Sequence, residues 1–325
     1  MNIPDLVADL KKRSTKGGDI DAVYFIACGG SLAGLYAAKY LLERETRKIK
    51  VALYNSSEFL QTTPKSFTEN SIAVCCTLRG TPETEEAIEF CKAKGAYTIS
   101  IIGDGNDRMV RASDYVIRFK TVADDATPML STNISQALWL SFEILHQFEQ
   151  YEHYDDAIQA FGMLETIAAK IRNYCKPRAQ IFAKSHQKEQ VIYVMAGAPS
   201  MGVAYAFSIC SLMEIQWIHS PTVNSAEFFH GPFEVLDKNI PFLHLISDGR
   251  SRPEDMRADA FLKKYGEKVT SIDARELFFD QIRDSVKEYF NHIVFDVALR
   301  QYLTPLAEIR QHPKDLRRYM WKLQY

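Results

Sequence analysis

Two residues of this chain stand out as a candidate acid/base pair, Glu214 and His230. Glu214 is the only acidic or basic residue in the apolar run that starts at Ser200 and reaches Trp217. Met201, Val203, Ala204, Ala206, Phe207, Ile209, Cys210, Leu212 and Met213 leave that run no polar face, which predicts a core helix. A carboxylate on such a helix must be paired, neutralised or used, because burying it unpaired costs several kcal/mol, roughly. A hidden arginine or backbone donors would satisfy it; a proton-transfer role would use it. His230 stands in Ser225-Ala226-Glu227-Phe228-Phe229-His230-Gly231-Pro232, where a turn would present an imidazole, the side-chain type best suited to carrying protons. Brought together by the fold, one carboxylate and one imidazole make a minimal acid/base pair.

Two short stretches could hold an anion. Cys28-Gly29-Gly30-Ser31 and Thr77-Leu78-Arg79-Gly80-Thr81 each follow an apolar run and precede helical spacing, the latter with Pro82-Glu83-Thr84 as a helix start. Helix N-termini beyond strand ends offer free N–H groups to phosphate. Gly30 and Gly80 permit tight turns, Ser31, Thr77 and Thr81 supply hydroxyls, and Arg79 supplies a fixed cation. Ordinary strand–helix turns use the same residue types. Neither stretch has the dinucleotide pattern G-x-G-x-x-G, and no G-x-x-x-x-G-K-[ST] occurs, which disfavours NAD and ATP.

The elements that must position these residues are read from periodicity. Strands are expected at Ala22–Ala27, Val51–Tyr54, Ser71–Cys76, Tyr97–Ile102 and Tyr115–Phe119, with helical spacing between them, notably 32–42 and 83–94. A polar helix over residues 4–17, ending at Gly17-Gly18, suits a lid or subunit contact. Helical spacing returns from His146 to Pro177, broken by the acidic stretch 151–156, and connects two domains. A second set of strands follows at Val191–Ala196, Ile240–Ile246 and Lys268–Ile272. With a constant offset, Tyr24 matches Tyr193, Ala27 matches Ala196, Ser31 matches Ser200, Tyr36 matches Tyr205 and Ala37 matches Ala206. The repeat predicts two copies of one α/β unit, each a doubly wound parallel sheet covered by helices. The expected division is an N-terminal helix over 1–20, a first domain over 21–160 and a second over 161–325.

At 325 residues, 46% apolar and 25% charged, the chain reads as a soluble two-domain globular protein. A net charge of -2 gives no electrostatic reason to expect nucleic acid or an acidic membrane. No apolar run is expected to reach the length of a bilayer span, and Met1 to Asp5 do not open like a signal peptide. The six cysteines include no C-x-x-C pair and lie largely in apolar runs, as reduced core residues of a cytoplasmic protein do. No metal and no cofactor is expected.

Taken together, the double repeat, the Cys-Gly-Gly-Ser turn, the Thr-x-Arg-Gly-Thr loop and the Glu214/His230 pair resemble the sugar isomerase (SIS) family. The similarity is greater to its fructosamine-type deglycases, which act on fructoselysine 6-phosphate and fructose-asparagine 6-phosphate. Leu212-Met213-Glu214-Ile215-Gln216-Trp217-Ile218-His219, Gly231-Pro232-Phe233-Glu234 and Arg317-Arg318-Tyr319-Met320-Trp321-Lys322 carry it. The resemblance implies phosphate binding by Ser31, Thr77 and Thr81 and catalysis by Glu214 and His230. The usual second loop is Ser-x-Ser-Gly-x-Thr; here Arg79 replaces the second Ser and one residue is missing before Thr81. Arg318 aligns with a basic tail residue that approaches the family's active site.

The implied substrate is a phosphorylated sugar-amine, cleaved by proton shuttling to glucose 6-phosphate and an amino acid. A plain aldose–ketose phosphate isomerase would use the same shuttle, and a non-catalytic sugar-phosphate regulator would use the same fold. The resemblance further implies a homodimer in which His230 enters the neighbouring subunit's site. The adjacent Phe228 and Phe229, costly to leave in water, fit such burial.

Overall fold

In the computed structural model, which describes residues 2–17, 19–120 and 125–324, the chain divides into two compact units, Met1–Leu164 and Glu165–Tyr325. The first unit is built on strands β1 (Ala22–Ala27), β2 (Lys50–Asn55), β3 (Ser71–Thr77), β4 (Tyr97–Ile102) and β5 (Tyr115–Arg118). All its pairings are parallel, in the order β2-β1-β3-β4-β5. Every residue of β1 and β3 is buried, which is why both read as unbroken apolar runs rather than alternating ones.

Helix α1 (Ile3–Gly17) buries Ile3, Leu6, Val7 and Leu10 and belongs to this unit, packing on a later helix rather than standing apart as a lid. Gly18, the expected end of α1, lies outside the described residues. The helical spacing of 32–42 is realised as two helices, α2 (Gly29–Gly34) and α3 (Tyr36–Glu45), joined at Leu35. Then come α4 (Ser56–Gln61), α5 (Pro82–Ala93), α6 (Asp107–Ala112) and α7 (Asn133–Glu149), the partner of α1. Helix α8 (Tyr154–His186) carries Pro177 inside it and runs nine residues past the expected end. A proline costs a helix one hydrogen bond and a steric clash. Burial of Cys175, Ala179, Phe182 and Ala183 on one side of α8 offsets that cost.

The second unit repeats the design with β6 (Tyr193–Ala196), β7 (Thr222–Asn224), β8 (Phe242–Ile246) and β9 (Val269–Asp273), again all parallel, in the order β7-β6-β8-β9. In both units the first strand lies between the second and the third. The internal repeat is therefore a repeat of topology. Its helices are α9 (Met201–Ala206), α10 (Arg252–Tyr265), the single turn α11 (Asp284–Lys287) and α12 (Asn291–Ile309).

One expectation fails on length. Ala198–Ile215 is long and apolar enough to cross a bilayer. Here it is the β6–β7 connection of an α/β unit, with Val203, Ala204, Phe207 and Leu212 buried. On β8, His244 is fully buried between Asp255, at 3.7 Å, and Asp259, at 3.6 Å, with Ser225 Oγ at 3.2 Å. Burial opposes protonation of this ring, and the two carboxylates outweigh it, so its pKa is raised.

Candidate active site

The first unit gathers the glycine- and hydroxyl-bearing turns at one end of its sheet. Its chain runs from β1 outward to β2 and then returns to β3 on the other side of β1, which makes the β1/β3 edge the topological switch point where such sheets bind ligands. Both glycine- and hydroxyl-bearing stretches leave the sheet there, since Ala27 pairs with Cys76. Gly30 and Ser31 lie in α2, after Cys28, and the Ser31 side chain reaches the thiol of Cys76. Burial pushes that thiol up to about 12, so it is a neutral neighbour and not a nucleophile.

Thr77 closes β3, and its Oγ1 accepts from the Thr81 N–H at 3.1 Å and meets Thr81 Oγ1 at 3.2 Å. Thr81 precedes α5, whose first turn opens with Pro82. Arg79 is exposed on the same turn. These residues make a hydroxyl-lined cradle at a strand end, with a cation beside it.

Gly80 sets the cradle's shape. Its φ of +76° is left-handed, and a Cβ there would lie 2.6 Å from Glu85 Oε1 and 2.7 Å from Asn106 Oδ1. Gly80→Ala should cost about 1–2 kcal/mol from backbone strain alone. For a folding unit of the size of Met1–Leu164 that is a fall in Tm of roughly 2–8 °C. Thermal denaturation checks it; an unchanged Tm would mean that the turn flips without penalty.

The matching turn of the second unit has diverged. Ser200, the counterpart of Ser31, is fully buried and bonds to Ser247 Oγ at 2.8 Å. The Asp255 carboxylate lies against Gly197, where a Cβ would meet Oδ1 at 2.8 Å, and it accepts from the Ser247 N–H at 2.9 Å. An internal carboxylate thus occupies the strand end where the first unit keeps its cradle.

Glu214 is neither isolated nor fully buried, which corrects the expectation. The helix that begins at Met201 widens into a π-helical stretch, Phe207–Ile215, near whose end Glu214 is 25% exposed. Arg317 Nε and Nη2 both donate to Glu214 Oε1, at 3.0 and 2.7 Å. The hidden arginine comes from the segment that follows α12. That segment is pinned to the same helix end by three further contacts. Arg310 donates to Gln216 O at 3.2 Å, Gln216 Nε2 donates to His312 O at 3.1 Å, and Arg318 stacks on Trp217 at 4.0 Å. Trp217 itself adopts a left-handed φ of 54°. Burial, with Arg310 and Arg318 nearby, lowers the His312 pKa and keeps that ring neutral beside Trp217.

Among the described residues no hydrogen bond or ion pair joins Glu214 to His230; the carboxylate's partner is Arg317. The β6–β7 and β8–β9 crossovers run in opposite directions, and right-handed connections then put their helices on opposite faces of the sheet. Glu214 lies on the first crossover. The loop after β7 packs on the α10 face, with Phe228 buried against Phe242 and Phe261 and with Phe229 against Phe261 and Arg257. Phe228 is thus a core residue of its own unit and Phe229 packs half-buried against that core, so neither needs a partner chain to leave water. His230, by contrast, is exposed.

Among known proteins, a family model described as the SIS domain matches residues 19–144. The fructosamine deglycase FrlB of Bacillus subtilis is 40% identical over 311 residues, 95% of this chain and 94% of that protein. The fructoselysine 6-phosphate deglycase of Escherichia coli is 24% identical, over 97% of this chain and 88% of its own. A solved Bacillus subtilis structure superposes with a TM-score of 0.95 at 39% identity, covering 99% of this chain and 97% of that one. The C-terminal domain of the Francisella tularensis glucosamine-fructose-6-phosphate aminotransferase shares the fold alone, with a TM-score of 0.79 at 16% identity over 97% and 90% of the two chains.

Proposed function

Because this chain belongs to the SIS-domain family, we propose that it is a deglycase that cleaves a 6-phosphorylated fructosamine to glucose 6-phosphate and a free amino acid. The observation that carries the reading is 40% identity to a fructosamine deglycase across nearly the full length of both chains.

In this reading Gly30, Ser31, Thr77, Arg79 and Thr81 hold the phosphate, and its position at a switch-point strand end supports that role. His230 assists ring opening by moving the proton of the anomeric oxygen. Glu214 takes a proton from C1 of the open ketone, leaving an enaminol, and returns it to C2. The product is an imine between C1 and the amino acid nitrogen. Water adds to it, the C–N bond breaks, and the aldehyde and the amine leave. Arg318, stacked on Trp217 near Glu214, is the tail residue proposed to face substrate. No residue in this scheme needs a metal or a cofactor. The reaction is hydrolytic overall, and the enzyme acts as a cytoplasmic homodimer; the six free cysteines fit a reducing compartment.

Release of glucose 6-phosphate from a panel of phosphorylated fructosamines tests the reading directly. Conversion of aldose to ketose phosphate with no cleavage of any fructosamine would replace the deglycase by an isomerase. Within the same assay, Arg79→Ala should raise KM more than it lowers kcat, because contacts to a phosphate remote from C1 bind ground and transition states alike. An unphosphorylated fructosamine turned over equally well would remove the phosphate role from the cradle.

A further inference from the structure

We propose that Arg317 is a positioning residue for proton transfer, clamping Oε1 of Glu214 so that Oε2 is presented to the substrate carbon. This inference rests on the reading of Glu214 as the proton carrier. An arginine fork usually meets a carboxylate with two parallel bonds, one to each oxygen. Here both donors, Nε and Nη2, converge on Oε1, at 3.0 and 2.7 Å, and Oε2 accepts no hydrogen bond among the described residues. One oxygen is thereby fixed and the other left open.

The clamp is itself held. Arg317 is only 9% exposed, and its Nη1 donates to Lys314 O at 2.8 Å and to Leu316 O at 3.0 Å. Lys322 Nζ donates to Arg317 O, and the Trp321 ring lies 5.4 Å from the guanidinium. The neighbouring Arg318 is exposed and stacks on Trp217 instead. Adjacent arginines therefore divide the work, one turned inward to the carboxylate and one outward. A guanidinium suits the inward task because its donors are rigid and its charge permanent, whereas a lysine would offer one rotating point charge. Proton abstraction from carbon is sensitive to geometry, and a 1 Å misplacement of the base can cost about a hundredfold.

The test compares full-length Arg317→Ala, Arg317→Lys, Glu214→Gln and the Arg317→Ala/Glu214→Gln double variant, assayed by glucose 6-phosphate release from a phosphorylated fructosamine. Arg317→Ala should lower kcat by roughly a hundredfold with little change in KM. Added guanidinium should restore part of the loss. In the Glu214→Gln background the same change should cost little further, because a residue acting through Glu214 has nothing left to position. Arg317→Lys should fold and show an intermediate kcat, which keeps the question open to measurement if the alanine variant does not fold. A wild-type kcat in either arginine variant, beside an inactive Glu214→Gln, would overturn the clamp and leave Glu214 standing. Equal losses in both backgrounds without guanidinium rescue would make Arg317 merely structural. Near-normal turnover in Glu214→Gln would remove the base itself, and the clamp with it.

Discussion

Glu214→Gln is expected to lower turnover by at least about a hundredfold, the usual scale for loss of a general base. The substitution keeps shape and keeps an oxygen that can accept both N–H bonds from Arg317, so the fold and the seating of the tail should survive. What it loses is the ability to take a proton from C1. KM should therefore move less than kcat, since the interaction removed is made in the transition state. Solvent deuterium gives a second readout. In heavy water the wild-type reaction should place deuterium at C2 of the glucose 6-phosphate to the extent that the proton held on Glu214 exchanges with solvent before its return, whereas the variant should yield only slow, residual product. Steady-state turnover close to that of the wild type, in a variant that melts normally, would strike Glu214 from the mechanism.

A mixture of inactive Glu214→Gln and inactive His230→Ala subunits should regain about a quarter of wild-type activity after random exchange. In a two-fold dimer with shared sites, half of the dimers are then hybrids, and each hybrid rebuilds one of its two sites. The expectation comes from the topology of the second unit. Glu214 belongs to the crossover on one face of that sheet, while the loop bearing His230 packs on the α10 face. Phe228, with no exposed surface, anchors that loop, and His230 projects from it exposed. An exposed imidazole on a loop anchored by Phe228, with no hydrogen bond or ion pair to its own chain's Glu214 among the described residues, is suited to serving another copy. Exchange is confirmed by native mass spectrometry or by recovery of two differently tagged subunits. Confirmed exchange without any recovery would assign His230 to its own chain.

Every strand but β7 was legible because it is a local feature. Buried parallel strands such as Ala22–Ala27 and Tyr97–Ile102 are short apolar runs bounded by polar turns, and the structure ends them where the sequence does. The repeat was legible for the same reason, since each copy carries its own strand, turn and helix. Strand β7 was not, because three residues in a polar neighbourhood carry no periodicity; pairing with β6 makes them a strand. Pro177 misled in the opposite sense, since the proline rule is local and the packing that overrides it is not.

The cradle loops were marked by Gly80, Thr77 and Thr81, whose types announce a turn. That they leave adjacent strands at one switch point is a fact of strand order, which no single segment encodes. The same limit governs Glu214. Sequence alone determined that a carboxylate in an apolar helix must be paired or put to use. Only the tertiary structure decided that its partner is Arg317, 103 residues away, rather than the neighbouring Arg318. The physical reason is that the choice between two adjacent arginines depends on how the segment after α12 turns onto the helix end, through Gln216, His312 and Trp217, and that turn is fixed by contacts between residues distant in the chain.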